Sequence, residues 1–258
     1  MLNKNQKGQI TIFIIVGIII VAAVLIFFLW IQPTYFPGDG VKPGFEGCVE
    51  REIEKAVETI GVKGGFVEPE FYYLYGGEKV PYLCYTNLYY KPCINQKPFL
   101  KQHFEDNLYK SVRVKIDSCF ESSLNDLRNQ GYEVVGEKGD LSIEIVPGKI
   151  SVLYDAPVVI QKSSAQKFTK FSFETSSQIY DILMIATSIV QYETAFGDAD
   201  VDSLMLYYPD LIVRKMKMSE GTTIYTLEDK QTQTKFQFAS RSFAWPAGYG
   251  LSEGYLHG

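Results

Sequence analysis

The apolar positions along the chain fall into one unbroken run, three helical stripes and a series of alternating segments. The unbroken run covers residues 10–31, contains no charged side chain and would form a helix of about 33 Å. This length matches the hydrocarbon core of a bilayer, so the run predicts a transmembrane helix. Residues 32–44, which are rich in Pro and Gly, predict a spacer, and residues 45–258 predict a folded region.

Three later segments repeat apolar residues every three or four positions, which is the pattern of a helix with one buried face. The predicted helices run from Phe45 to Ile60, from Leu100 to Leu127 and from Ile179 to Val190. Gly61 follows the first of them and is a suitable stop. Thr175 precedes the third and could cap it.

The segments between these helices alternate apolar and polar residues or break at Gly and Pro, as strands and turns do. The predicted strands cover residues 141–146, 150–154, 156–161, 168–173, 203–207, 211–218, 222–227 and 234–241, with short strands and loops in residues 66–90. Because the strands come in groups, the pattern predicts an α+β fold with a mostly antiparallel sheet and about three packed helices. A break near residues 162–175 would divide the region into two subdomains.

The flanks of the apolar run predict how it crosses the membrane. Lys4 and Lys7 lie on its N-terminal side without a nearby acidic residue, and Trp30 lies at its other end. The positive-inside bias therefore places the N-terminal stub in the cytoplasm and residues 32–258 outside the cell membrane. No small-residue cleavage site follows Trp30, so a retained single-pass anchor that contacts lipid through residues 10–31 is favoured over a cleaved secretory signal.

The N-terminal residues also carry a family resemblance. Lys7-Gly8-Gln9, followed directly by the apolar run, resembles the class III signal peptide of archaeal type IV pilin-like proteins. The resemblance covers about the first 31 residues and implies that a membrane peptidase cuts after Gly8 and leaves Gln9 as the new N-terminus. Filament-forming members carry a Glu near the position of Phe13 and continue their first helix into the head domain, whereas Pro33 interrupts this one. The whole chain further resembles membrane-anchored surface proteins of archaea, a likeness that implies no activity.

Charge and cysteine content narrow the function classes. Without Lys4 and Lys7, 23 of the 25 basic residues remain beside 30 acidic ones, which argues against nucleic acid as a partner. The four cysteines, Cys48, Cys84, Cys93 and Cys119, all lie in the region predicted to be exported, so they predict disulfides, for which three pairings exist. A Cys48–Cys119 bridge would clamp two helices, and a Cys84–Cys93 bridge would close one loop. A metal site or a reactive thiol is the less favoured alternative, since no C-x2-C pair is present.

One acidic segment has the spacing of a calcium loop. Asp198, Asp200 and Asp202 alternate as the first ligands of such a loop do. Ser203 stands where Gly is needed, and Pro209 stands where the final Glu is needed. A solvated turn that caps the preceding helix is therefore the favoured interpretation, and a calcium site is the alternative hypothesis.

A cluster of tyrosines is the strongest candidate for a binding surface. Seven of them fall within nineteen residues: Tyr72, Tyr73, Tyr75, Tyr82, Tyr85, Tyr89 and Tyr90. Tyrosine offers large, stiff and amphipathic contact area, so the cluster predicts recognition of a protein or a glycan. The alternative is that half of these side chains pack on the helices while the others border loops.

Evidence for catalysis is thin. The sequence contains no H-E-x-x-H or phosphate-binding glycine motif. His103 is followed by Glu105 and Asp106, but such close positions on a helix point in different directions. The sequence therefore predicts a non-enzymatic protein with a cell-surface binding, adhesion or envelope-structural function and no cofactor. The alternatives are a minor pilin-like subunit processed after Gly8 and an exported enzyme whose site carries no known motif.

Overall fold

The computed structural model describes residues 15–24, 42–162 and 165–246. Of the predicted membrane helix over residues 10–31, it describes residues 15–24, which form helix α1. Across the three described ranges, no helix has both the length and the apolar composition needed to span a bilayer. The rest of the predicted span and the proposed processing site at Gly8 and Gln9 lie outside the described residues.

The chain divides into two units, Met1–Pro43 and Gly44–Gly258. In the described residues from 42 onward, the helices are α2 (Lys42–Gly61), α3 (Leu100–Asn129), α4 (Ile179–Phe196) and α5 (Val201–Tyr207). The strands are β1 (Tyr72–Tyr75), β2 (Glu78–Tyr85), β3 (Ile94–Asn95), β4 (Glu133–Gly136), β5 (Asp140–Val146), β6 (Lys149–Gln161), β7 (Ala165–Ser176), β8 (Leu211–Lys217), β9 (Thr222–Asp229) and β10 (Lys235–Arg241). The predicted α+β class is confirmed, and the three predicted helices correspond to α2, α3 and α4.

The strands form two sheets. The six-stranded sheet has the order β1-β2-β10-β9-β8, with β3 also paired to β2. In the four-stranded sheet, β6 lies between β7 on one side and β4 and β5 on the other. Every described strand pair is antiparallel except β2 with β10, which run parallel.

Three details differ from the expected elements. Residues 150–161 belong to the single strand β6, whose pairing with β7 shifts register between Asp155 and Val158. The strand predicted over residues 203–207 is wrong, because Asp200 accepts hydrogen bonds from the backbone N–H groups at 202 and 203 and so starts helix α5. The suggested break near residues 162–175 falls on β7, which pairs along its length with β6 inside one compact unit.

The core beside the four-stranded sheet is aromatic. Phe45 of α2 is fully buried, and its ring contacts Phe120 of α3 and three rings of the sheet, those of Tyr154, Phe171 and Phe173. One turn further along α2, Cys48 forms a disulfide with Cys119 of α3, with 5.8 Å between the two Cα atoms. The predicted disulfides are confirmed, and this one ties together the two helices that cover the sheet.

Candidate binding surface

The six-stranded sheet has two unlike faces, because successive side chains of a strand point to opposite sides. On the face toward α4, Tyr225 and Phe238 are fully buried, and the Tyr225 hydroxyl donates a hydrogen bond to Glu193. The opposite face carries a buried cluster with half-buried side chains packed against it: Val80, Tyr82, Ile224 and Ala239, covered by Tyr73, Tyr75, Tyr85 and Met218. We call this opposite side the aromatic face.

Three rings hold the aromatic face together. The centroids of Phe71, Tyr82 and Tyr85 lie 4.7 to 4.9 Å apart in all three pairs. The Tyr82 hydroxyl lies 2.8 Å from the Thr222 hydroxyl of β9, and burial raises the pKa of Tyr82 above its ordinary value. This tyrosine therefore stays neutral and serves to fix β2 against β9.

The β1–β2 hairpin brings two more tyrosines onto the same face. Gly76 and Gly77 form its turn with φ values of 59° and 89°, which favour glycine. This turn sets Tyr73 opposite Val80, and the Tyr75 hydroxyl donates to the Met216 sulfur at 3.0 Å. Tyr73, Tyr75, Tyr82 and Tyr85 thus pack on the sheet itself, and Tyr72, Tyr89 and Tyr90 remain exposed.

A loop after β2 presents two of the three exposed tyrosines of the cluster, Tyr89 and Tyr90. Leu88, Tyr89 and Tyr90 project from it, and Trp245 lies beside it; these four side chains are 44 to 57% exposed. We call them the aromatic loop surface. The Cys84–Cys93 disulfide, with 5.3 Å between Cα atoms, closes the loop at its base.

The backbone of this loop is fastened to the segment that follows β10. The Tyr90 N–H donates to the Ala244 carbonyl at 3.0 Å, and the Phe243 N–H donates to the Lys91 carbonyl at 2.8 Å. The Cys93 N–H donates to the Ser242 hydroxyl at 3.0 Å. These bonds and the disulfide leave little freedom to the loop, so its side chains are positioned before any ligand arrives.

Two residues of this junction have a left-handed backbone. Tyr90 has a φ of 58° and Phe243 a φ of 46°. Left-handed conformations cost a residue other than glycine about 1 kcal/mol or more, and they persist where surrounding contacts enforce them. Such enforced strain is typical of binding and active sites.

The exposed rings meet at defined angles beside a fixed cation. The Tyr90 and Trp245 rings are 4.9 Å apart and perpendicular, so they form a corner. The Arg241 guanidinium lies 5.3 Å from the centre of the Tyr89 ring and donates to the Thr86 carbonyl at 2.5 Å. A flat, weakly polar molecule could stack on one ring of the corner while its polar edge reaches the neighbouring donors.

The three aspartates do not converge on one point. Asp198 pairs with Lys215 and Lys217, and these partners lower its pKa although burial opposes them. Asp200 caps the following helix α5, whereas the turn was expected to cap the preceding helix, α4. Among the described residues no three Asp, Glu, His or Cys side chains are grouped as a metal ion would need, so this part of the structure adds no support to the calcium hypothesis for Asp198, Asp200 and Asp202.

His103 belongs to the packing between α3 and the preceding loop. Its ring lies 4.3 Å from the Phe66 ring. Burial and the nearby Lys97 lower the pKa of His103 to about 4, so the ring is neutral at pH 7. Among the described residues, the hydrogen-bond partner of the ring is the Asn107 amide rather than a carboxylate.

Glu193 is a buried carboxylate that the sequence pattern did not single out. Its side chain accepts hydrogen bonds from the Tyr225 hydroxyl, from the Ser240 hydroxyl at 2.8 Å and from the Ala199 N–H at 3.2 Å. Burial raises its pKa above the ordinary value. Its burial could have been predicted from the sequence, because Glu193 continues the apolar stripe of α4 three residues after Val190.

Comparison of the chain with protein-family models, with curated proteins and with solved structures finds no match. The geometry of the aromatic loop surface therefore has to carry the functional argument.

Proposed function

We propose that this chain is a membrane-anchored, extracytoplasmic binding protein that holds a neutral glycan on the aromatic loop surface. The observation that carries the proposal is the presentation of exposed aromatic rings on a loop whose backbone is held by a disulfide and three hydrogen bonds. A loop immobilised in this way loses little entropy on binding, and its tyrosine and tryptophan side chains have few rotamers to lose.

The glycan is favoured over an acidic polymer by charge. The exported region has seven more acidic than basic residues, counting 23 against 30, so it repels polyanions over long range. The faces of pyranose rings are apolar and their rims carry hydroxyls, which matches the perpendicular corner of Tyr90 and Trp245 beside Arg241. A protein partner is the other occupant that such a surface could take.

The direct test is titration of the full chain with neutral oligosaccharides, followed by tryptophan fluorescence and calorimetry. We expect Tyr89→Ala to weaken binding about tenfold, because loss of one aromatic stacking contact costs about 1.4 kcal/mol. Trp245→Ala should do the same in calorimetry. Phe99→Ala is the matched control, since Phe99 is 77% exposed, lies at the start of α3 and is not part of the aromatic loop surface.

The outcome of the titration decides between partners. Unchanged affinity in both loop variants would remove the aromatic loop surface as the site. Absence of binding across neutral oligosaccharides, together with capture of one defined surface protein that Tyr89→Ala abolishes, would replace the glycan by a protein.

The anchor part of the proposal rests on the apolar run and the lysines before it. Intact mass of the protein purified from its native membrane, without reductant, tests it together with the pilin-like alternative. Retention of residues 1–8 would support an unprocessed anchor, and their loss would support cleavage after Gly8. In both cases we expect four hydrogens fewer than in the reduced chain, because both disulfides are formed.

A further inference from the structure

The edge strands of the two sheets differ in charge. The outer strand β8 carries Arg214, Lys215 and Lys217, and the outer strand β7 carries Lys167 and Lys170. Charged side chains along an edge oppose pairing with another strand, above all with the same strand of a second copy, because like charges would face each other. β4 and β5 likewise carry acidic residues.

β1 lacks this protection. Its residues are Tyr72, Tyr73, Leu74 and Tyr75, none of them charged. Among the edge strands of four residues or more in the described ranges, it is the one without a charged side chain. Leu74 is 64% exposed and Tyr72 is 38% exposed, so apolar surface at this edge faces solvent.

The hydrogen-bonding pattern shows which backbone groups of β1 are open. The Tyr82 N–H donates to the Phe71 carbonyl at 3.2 Å, so residues 71, 73 and 75 direct their backbone groups toward β2. By alternation, the N–H and C=O groups of Tyr72 and Leu74 point away from β2. No described residue accepts from or donates to these groups.

We propose that β1 pairs with β1 of a second copy of this chain, antiparallel and about a two-fold axis at Tyr73. The two outward residues fix this register, because only pairing of Tyr72 with Leu74 of the other copy uses all the open groups of both strands. Four backbone hydrogen bonds result, two on each side of the axis. The uncharged strand meets itself without repulsion, as an isologous interface requires.

This pairing would extend the six-stranded sheet of one copy into that of the other. Since Tyr73 lies on the aromatic face, the aromatic faces of the two copies would meet at the axis. A pair of four-residue strands buries a small area, so the association is weak in dilute solution. Confinement of both copies to one membrane would raise their effective concentration and favour the pair. The inference goes beyond glycan binding, because its evidence lies in β1 rather than in the aromatic loop surface.

Cysteine cross-linking of the full chain tests both pairing and register. All four native cysteines are in disulfides, so an added cysteine supplies the free thiol. In Tyr73→Cys the two Cα atoms across the axis would be about 4.5 Å apart, which suits a disulfide. In Tyr75→Cys they would be about 14 Å apart along the strands, which is too far. We expect at least about tenfold more covalent dimer from Tyr73→Cys on mild oxidation in membranes.

A second substitution isolates the backbone bonds. Leu74→Pro removes an outward N–H that β2 does not use, and proline is tolerated on an edge strand at such positions. Added to Tyr73→Cys, it should reduce cross-linking to the level of Tyr75→Cys, whereas Ile94→Lys, which replaces a side chain 71% exposed on β3, should leave it unchanged.

Equal cross-linking of Tyr73→Cys and Tyr75→Cys would overturn the proposal, since random collision would explain both. So would a wild-type chain that sediments as a monomer at high concentration and is indistinguishable from Leu74→Pro. This sedimentation measurement decides the matter even where a cysteine variant fails to fold.

Discussion

Replacing Cys48 and Cys119 together by alanine should lower the free energy of unfolding by about 4 kcal/mol in the chain-entropy model. The bridge spans 71 positions, so its loss returns a large amount of conformational freedom to the unfolded chain. The affected helices, α2 and α3, carry the Phe45 and Phe120 rings that cover the four-stranded sheet. Urea denaturation of the full chain in detergent, followed by circular dichroism, measures the change.

The second disulfide is the internal control for this prediction. Cys84 and Cys93 are only 9 positions apart, so their replacement should cost about 2.7 kcal/mol in the same model. This pair should affect glycan affinity more than the first, because it closes the loop that carries Tyr89 and Tyr90. Equal losses of stability, or a larger loss for Cys84 and Cys93, would show that loop length does not govern the contribution of these bridges.

Helical periodicity gave reliable predictions where a helix buries a continuous stripe. The stripe of α3, from Leu100 through Phe104 and Leu108 to Leu127, is buried as the three- and four-residue spacing indicates. Helix α5 was not predicted by this spacing, because none of its residues is buried and no apolar stripe marks it. Its signal was the N-cap at Asp200, which the alternating aspartates made resemble a calcium loop.

The aromatic face could be predicted only in part. Alternation around Tyr73 and Tyr82 indicated short strands, but the residues they pack on, such as Ile224 and Met218, lie more than 130 positions away. Periodicity reports which side of a strand is buried and carries no information on which distant strand lies beside it. Likewise, Tyr89 and Tyr90 were binding candidates from the sequence alone. Trp245 and Arg241 lie beside them because backbone hydrogen bonds join the loop after β2 to the segment after β10.

Replacing Glu193 by alanine should lower the free energy of unfolding by about 3 kcal/mol. The variant would leave the Tyr225 hydroxyl, the Ser240 hydroxyl and the Ala199 N–H buried without their acceptor. It would also leave a cavity between α4 and the six-stranded sheet. Glu193→Gln keeps the volume and one acceptor oxygen, so we expect a clearly smaller loss. If alanine and glutamine have equal effects, the hydrogen bonds to the carboxyl group are not what stabilises this site.

The pH dependence of the same pair of proteins separates charge from hydrogen bonding. Burial raises the pKa of Glu193 above its ordinary value of 4.5, against the opposing effects of Tyr225, Ser240 and the nearby Lys215. Well below pH 4.5 the folded and unfolded chains both hold the proton. As the pH rises from there through the raised pKa, the folded chain keeps a proton that the unfolded chain releases, so the free energy of unfolding falls.

Glu193→Gln cannot titrate, so its stability relative to the wild type should improve across this interval and become constant above it. The other ionisable groups near the site, Asp198, Lys215 and Tyr225, are present in both proteins and largely cancel in the difference. Urea denaturation of both proteins at closely spaced pH values from 4 to about 8 supplies the comparison. A difference that stays constant over that range would mean that Glu193 has the same pKa folded and unfolded. Its carboxylate would then be fully compensated by its three donors, and the burial of α4 against β9 and β10 would carry no charge penalty.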